Sequence, residues 1–240
     1  MKERVLEAYT KLAKDYELHT DSDSGANAYY ERPAMLELLP TDMSGLHALD
    51  AGCAAGWYTE KFVSRGASVS AIDFSPDMVE AAKRRVGSQA EIQVHDLNEP
   101  LPYGANKLDL ILSSLTLHYI EDWDPLFREF QRVLKPGGTL LFSVHHPFMD
   151  FTVFKRPDYF VRELLVDRWT KKEAGSVEVT FFRRPLQEIV NMTSSWFVLD
   201  RIVEPRPVPE FLERLPESAD FYQRILHHPH FLIVKAHKPE

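Results

Sequence analysis

Three carboxylates, each at the end of a short apolar run, are the residues here whose placement could do chemistry. Asp50 closes Leu46–Asp50, Asp73 closes Ser68–Asp73, and Asp96 follows Ala90–Val94 in Val94-His95-Asp96-Leu97. Between the first two lies Asp50-Ala51-Gly52-Cys53-Ala54-Ala55-Gly56-Trp57, a strand end, a turn of small residues and a helix start, which lets a ligand approach the backbone and a helix N-terminus. A dinucleotide-binding turn is the alternative. Against it, the three-glycine spacing is absent, and a carboxylate at Asp50 repels a pyrophosphate while favouring a cation. Acids at strand ends also serve as solvated loop residues or helix caps, so it is their shared register that points to a ligand.

For the three acids to meet, their strands must run parallel in one sheet. The pattern supports this. Leu108–Ser113 and Thr139–Val144 continue the apolar runs, and helical spacings fall between them at about Gly56–Arg65, Pro76–Val86 and Asp124–Leu134. Ser75-Pro76-Asp77 reads as a helix start, and Lys135-Pro136-Gly137-Gly138 as a helix stop followed by a turn. Alternation of this kind, with nearly all-apolar strands, predicts an α/β, doubly wound, mostly parallel sheet of Rossmann-like form with seven strands. In that architecture ligands bind where the strand ends open into a crevice. A ligand with ribose hydroxyls, an exocyclic amine, positive charge and no phosphate suits three acids there, and S-adenosylmethionine has all of these.

The rest of the chain frames this core as a single domain, residues 1–240. Residues 1–44 predict two helices, the first carrying Val5, Leu6, Tyr9, Leu12, Ala13 and Tyr16 at helical spacing, the second over Tyr29–Leu39. Residues 45–147 hold the strand–helix alternation. Residues 148–184 lack a clean period over their first part and are rich in aromatics and arginine, the expectation being a cap inserted between strands five and six. Residues 185–240 complete the sheet, with a helix at Pro185–Ser195 and strands at Phe197–Val203 and His230–Ala236.

Composition narrows the partners. The 240 residues carry 28 Lys and Arg against 36 Asp and Glu, a net charge of −8. That works against nucleic acid or an anionic membrane as main partner, since phosphate binding needs a positive footprint. A single cysteine excludes an internal disulfide and a cysteine-based zinc site. His, Asp and Glu show no metal-ligand spacing. No apolar run reaches the ~18–20 residues of a membrane span, and the charged stretch Met1–His19 has no signal-like apolar region, so a cytoplasmic location is expected.

Taken together, Asp50-x-Gly52-Cys53-x-x-Gly56, Ile72-Asp73-Phe74-Ser75-x-x-Met78, His95-Asp96-Leu97, Leu108-Asp109-Leu110-Ile111 and Phe130-Gln131-Arg132-Val133-Leu134-Lys135-Pro136-Gly137-Gly138 resemble the class I S-adenosylmethionine-dependent methyltransferases, and within them the small-molecule group typified by the ubiquinone and menaquinone biosynthesis enzymes. The resemblance covers about residues 45–145. One departure is Gly52-Cys53-Ala54 where the family has Gly-x-Gly. The resemblance implies S-adenosylmethionine as cofactor. Asp50, Gly52 and Gly56 would face its methionine end, with Ala51 and Cys53 also at the cofactor, and Asp73 would hold its ribose. Phe74 and Met78 would lie against the adenine, or pack as helix–sheet core. Asp96 and Leu97 would flank the adenine amine and ring edge, Ser113 would lie near the amino acid part, and Tyr16 and Tyr30 would close the site.

Methyl transfer relies on positioning and desolvation, helped by a base when the acceptor is protonated. His118 and His146, at strand exits, are the candidate bases, with helix capping or a loop hydrogen bond as the alternative. In the inserted cap, Tyr159, Trp169 and Arg184 are the candidate acceptor contacts, unless the aromatics only anchor the cap and the arginines only pair with Glu163 and Asp167. The leading expectation is methyl transfer to a small-molecule acceptor, of unknown oligomeric state. A tRNA-modifying methyltransferase of the same fold, or a cofactor-binding protein without transferase activity, are the alternatives.

Overall fold

The computed structural model describes all 240 residues. The N-terminal segment forms α1 (Lys2–Leu18), a single turn α2 (Thr20–Asp23), a π-helical turn at Asn27–Glu31 and α3 (Arg32–Glu37). The core then alternates: β1 (His47–Ala51), α4 (Trp57–Ser64), β2 (Ser68–Asp73), α5 (Pro76–Val86), β3 (Glu91–Val94), β4 (Leu108–Ser114), α6 (Asp124–Val133) and β5 (Leu134–His145). Next come α7 (Pro147–Val153), β6 (Glu163–Lys171), β7 (Gly175–Arg183), α8 (Leu186–Trp196), β8 (Val198–Val203), α9 (Glu210–Arg214), α10 (Ala219–His227) and β9 (Phe231–His237).

Seven strands make one sheet in the order β3-β2-β1-β4-β5-β9-β8, parallel through β5 and antiparallel over β9 and β8. The order reverses between β1 and β4, so the ends of β1, β2 and β3 open on one side of a switch point. Local signals set the elements as expected. Ser75 caps α5 by accepting from Met78 N–H, with Pro76 in the first turn and Lys83, Arg84 and Arg85 in the last. On one sheet face, α6 buries Leu126, Phe127, Phe130 and Val133 against Phe142 and Val144 of β5. On the other, Met35, Met43, Tyr58 and Phe62 pack over Ala48, Leu110 and Leu141.

Two elements differ from the sequence pattern. Lys135–Gly138 lies within β5 as an irregularity, the register slipping between Leu108 and Leu110 while Gly137 takes φ +72°. The segment without a clean period contains β6, paired with β7 in a separate two-stranded hairpin. On β6, Glu163, Leu165, Asp167, Trp169 and Lys171 point inward while Leu164, Val166, Arg168 and Thr170 point out. Burial alternates, yet apolar and polar residues occur on both faces, so composition hides the period of two.

The hairpin sits on α1. Leu165, Val177, Val179 and Phe181 pack against Ala8, Leu12 and Met78. Asp15, buried on α1, accepts from the Glu173 and Ala174 N–H groups at the hairpin turn. Phe127, fully buried and touching the rings of Trp123, Phe142 and Phe197, anchors the larger core. Phe127→Ala is expected to destabilise the fold by ~3–5 kcal/mol in urea denaturation.

Candidate active site

The loop after β1 is built around two glycines. Gly52 has φ +84°, and a Cβ there would lie 2.2 Å from Thr116 Oγ1. Gly56 has φ +81°, starts α4, and would bring a Cβ within 3.0 Å of Ala82. Between them Ala54 holds φ +45°. The loop is fixed to the next strand by Asp73, whose Oδ2 accepts from Ala54 N–H at 2.9 Å and Oδ1 from Ser75 N–H at 2.8 Å. Burial raises the Asp73 pKa, and these N–H groups oppose that rise.

Asp73, Gly52, Cys53, Ala54, Phe74, Asp96, Leu97 and Tyr16 line one cavity of about 340 Å³. Its remaining walls come from Tyr9 of α1, Arg32, Trp57, Tyr58, His95, the Ser114–Thr116 turn, Tyr119 and Phe182 of the hairpin, among others. The cavity thus lies at the ends of β1, β2 and β3, roofed by the N-terminal helices and the hairpin. Asp96 is held by Lys2 in an ion pair and accepts from the Asn98 backbone and side-chain N–H groups. Desolvation raises its pKa, but the bonds to Lys2 and Asn98 prevail and leave it below the usual value. Asp21 supplies a further acid, shared by Arg32 and Arg85 at 2.9 and 2.5 Å.

Six residues expected at the cofactor lie behind this wall. Asp50 is buried and accepts from Thr59 Oγ1 at 2.7 Å. Its pKa is pushed up to about 7, first by desolvation. It is therefore a hydrogen-bonded support for β1 and α4. Ala51 is buried and its carbonyl accepts from Ser113 Oγ at 2.8 Å, which accounts for both residues, and the next residue, Ser114, reaches the cavity in place of Ser113. Gly56 serves helix packing, and Met78 belongs to the core beneath α1. Tyr30 is fully buried, its hydroxyl accepting from His230 N–H.

The candidate bases are also elsewhere. His146 accepts from Phe148 N–H at the start of α7 through Nδ1 and pairs Nε2 with Glu204 at 2.8 Å, so it is a helix cap. His118 is buried, stacked on His145 at 4.3 Å, and its pKa falls well below 6.5 through desolvation and then the neighbouring His145 and Arg184. Neither lines the cavity. Nor do the three cap candidates. Tyr159 accepts from Leu186 N–H, Trp169 donates to Asp167, and Arg184 donates to the Ile120 and Glu121 carbonyls and to Glu188. The fully buried Arg183 pairs with Glu163 and holds the carbonyls of Asp158, Tyr159 and Val161.

A buried carboxylate absent from the sequence reading organises the floor. Glu31 accepts from Ser143 Oγ at 2.6 Å, Ser114 Oγ at 2.8 Å and Tyr58 OH at 2.8 Å, tying the N-terminal segment to β4, β5 and α4. Burial raises its pKa against these bonds. Its neighbour Tyr30 carries the only sequence signal, a helical apolar spacing that gives no reason to expect a carboxylate inside.

The site tests well against a phosphate-free nucleoside. It offers Asp73 at a strand end, a glycine loop whose backbone faces the cavity, and aromatic walls. Arg85 Nη1 and His95 Nε2, on residues of this lining, are buried with no protein partner. Fold and site together define a nucleoside-binding enzyme of the Rossmann-like class. The methyltransferase domain model of the family Methyltransf_11 matches residues 49–142. An S-adenosylmethionine-dependent methyltransferase of Mesorhizobium loti of known structure is 26% identical, with a TM-score of 0.68, covering 90% of this chain and 99% of that one. An uncharacterized protein of Haemophilus influenzae is 27% identical over 100% of this chain and 96% of its own length. The malonyl-[acyl-carrier protein] O-methyltransferase of Buchnera aphidicola is 32% identical over 59% of this chain, which spans only 54% of that protein. These likenesses support a class I S-adenosylmethionine-dependent methyltransferase.

Two outcomes follow from this geometry. Ala54→Gly is expected to stabilise the protein by ~1 kcal/mol by relieving a left-handed alanine; a lower urea midpoint would show that the methyl group's packing outweighs the strain. Asp50 holds its proton more tightly folded than unfolded, so its contribution to stability is full below pH 4 and disappears as pH rises through about 7. In urea titrations across that range, Asp50→Asn should flatten the decline seen in the parent protein.

Proposed function

We propose that the enzyme methylates a small-molecule acceptor in the roofed end of this cavity, and that the residue roles follow from the lining. Asp73 holds the ribose hydroxyls, with Phe74 against the adenine and Asp96 and Leu97 at its amine and ring edge. The Gly52–Ala54 backbone faces the methionine end, where Arg32, stacked on Trp57 at 4.3 Å, presents a cation for a carboxylate. When bound, the cofactor supplies an electrophilic methyl group on a sulfonium. The observation that carries this reading is the convergence of Asp73, the Gly52 loop and Asp96 on one cavity.

The chain's own residues position and desolvate. Tyr9 and Tyr119 share a hydrogen bond of 2.7 Å, and with Tyr16 they form an aromatic wall. Burial raises all three phenol pKa values, so at neutral pH they are donors and not bases. With His118 and His146 outside the cavity and His95 beside Asp96 at its β3 end, the proposed acceptor end is left without a histidine base. This favours an acceptor that brings its own nucleophilic atom, such as a carboxylate, which is already ionised at neutral pH. The Buchnera aphidicola relative, by its name an O-methyltransferase of a malonyl group on an acyl-carrier protein, supports an oxygen acceptor. Acceptor choice rests with the roof, because Tyr9, Tyr16 and Phe182 lie outside the matched residues 49–142. Residues 148–184 accordingly act as the acceptor cap, in a cytoplasmic enzyme.

Calorimetry with S-adenosylhomocysteine should show binding that Asp73→Ala weakens by ~1.5–3 kcal/mol for each charge-assisted hydrogen bond lost. Unchanged affinity would remove Asp73 from the site. A panel of small carboxylates and phenols, followed by S-adenosylhomocysteine release, tests the acceptor class. Turnover only with tRNA, or with no compound at all, would overturn it.

A further inference from the structure

Behind Phe182, on the side away from the cavity, lies a second compartment of about 10 Å³ lined by His118, Trp123, Val144, His145, Asp150, Phe182, Arg184 and Ile189. Four of these residues each carry a buried polar atom without a partner: His118 Nδ1, His145 Nδ1, Asp150 Oδ1 and Arg184 Nη1. His118, Asp150 and Arg184 are 3%, 2% and 4% exposed, so solvent does not satisfy them. His145 Nδ1 and Asp150 Oδ1 face each other at 3.5 Å, too long for a hydrogen bond. Leaving four such atoms unmet would cost several kcal/mol.

We infer that this compartment is a binding site for one water molecule, and that the water fixes Phe182 as the wall of the catalytic cavity. The volume matches a single water, and buried waters make about three hydrogen bonds, up to four, to otherwise unmet groups. The chemistry matches too. Arg184 Nη1 can only donate and Asp150 Oδ1, as carboxylate, only accepts; one histidine nitrogen then donates and the other accepts. Water alone, with two donors and two acceptors, completes that set. An anion would face Asp150, and Glu188 already engages Arg184; a cation would face the guanidinium. No cluster of His, Cys, Asp and Glu here could hold a metal ion.

The four groups come from four places: the turn after β4, the end of β5, α7 and the residue following β7. The water is thus a node joining the hairpin to the sheet directly behind Phe182, which lines both compartments. Asp150 and His118 are positioning residues in this scheme. Its effect on the acceptor rests on the acceptor-cavity reading above; the water itself does not.

A high-resolution crystal structure should show one ordered water 2.7–3.2 Å from these atoms. Side chains paired directly, or an empty compartment, would overturn the site. Nitrogen-15 NMR should find one of His118 Nδ1 and His145 Nδ1 carrying a proton and the other accepting, and the same role at both would contradict the bonding scheme. Asp150→Leu should expel the water and raise the acceptor KM several-fold with S-adenosylhomocysteine affinity unchanged, and Asp150→Asn should retain both water and KM. A water lost without any change in KM would overturn the positioning role. Loss of S-adenosylhomocysteine binding in the parent protein would instead count against the cofactor reading and leave the water standing.

Discussion

The pair of hydrogen bonds from Ala54 and Ser75 to the Asp73 carboxylate is the constraint on which the site depends. It ties the loop after β1 to the start of the helix after β2, so that two crossovers meet at one acid. Parallel strands bring those loops to the same edge, and the carboxylate fixes their spacing. Because each oxygen takes one backbone N–H, Asp73 retains acceptor capacity toward the cavity. These donors oppose the rise that burial gives the Asp73 pKa, so the order of the loop and the charge of the acid are coupled.

The other acids divide according to what they touch. Asp50 and Glu31 are interior and hydrogen-bonded, and support the floor from beneath. Asp21 and Asp96 lie on the cavity lining and are matched by Arg32, Arg85 and Lys2. The pocket is therefore less simply acidic than a count of carboxylates implies. Cations from the N-terminal helices and from α5 balance it, and the N-terminal helices roof the site.

The roof joins the parts of the chain furthest apart in sequence. Asp15 on α1 receives the turn of the β6–β7 hairpin, and the shared apolar seam runs under both. Methyl transfer without a protein base depends on such a roof, since desolvation and alignment must then supply the acceleration. Phe182 lines both the main cavity and the polar compartment behind it, so the hairpin is more than an apolar cover.

The sequence alone determined the alternation of strands and helices, because apolar runs of strand length and a capped Ser75-Pro76-Asp77 helix start are local signals. It also marked Gly52, Asp73 and Asp96, strand-end residues that the parallel sheet brings to one cavity. Which neighbours face inward was beyond it. Ser113 and Ser114 are adjacent and chemically alike, yet the pleat turns one to the Ala51 carbonyl and the other toward the cavity. His118 and His146 sit at strand exits like catalytic groups, but packing by Phe181 and pairing with Glu204 occupy them elsewhere. Glu31, Tyr9 and Phe182 reach the site only through contacts between distant segments. Such contacts depend on the tertiary arrangement of helices and hairpin, which no local period encodes.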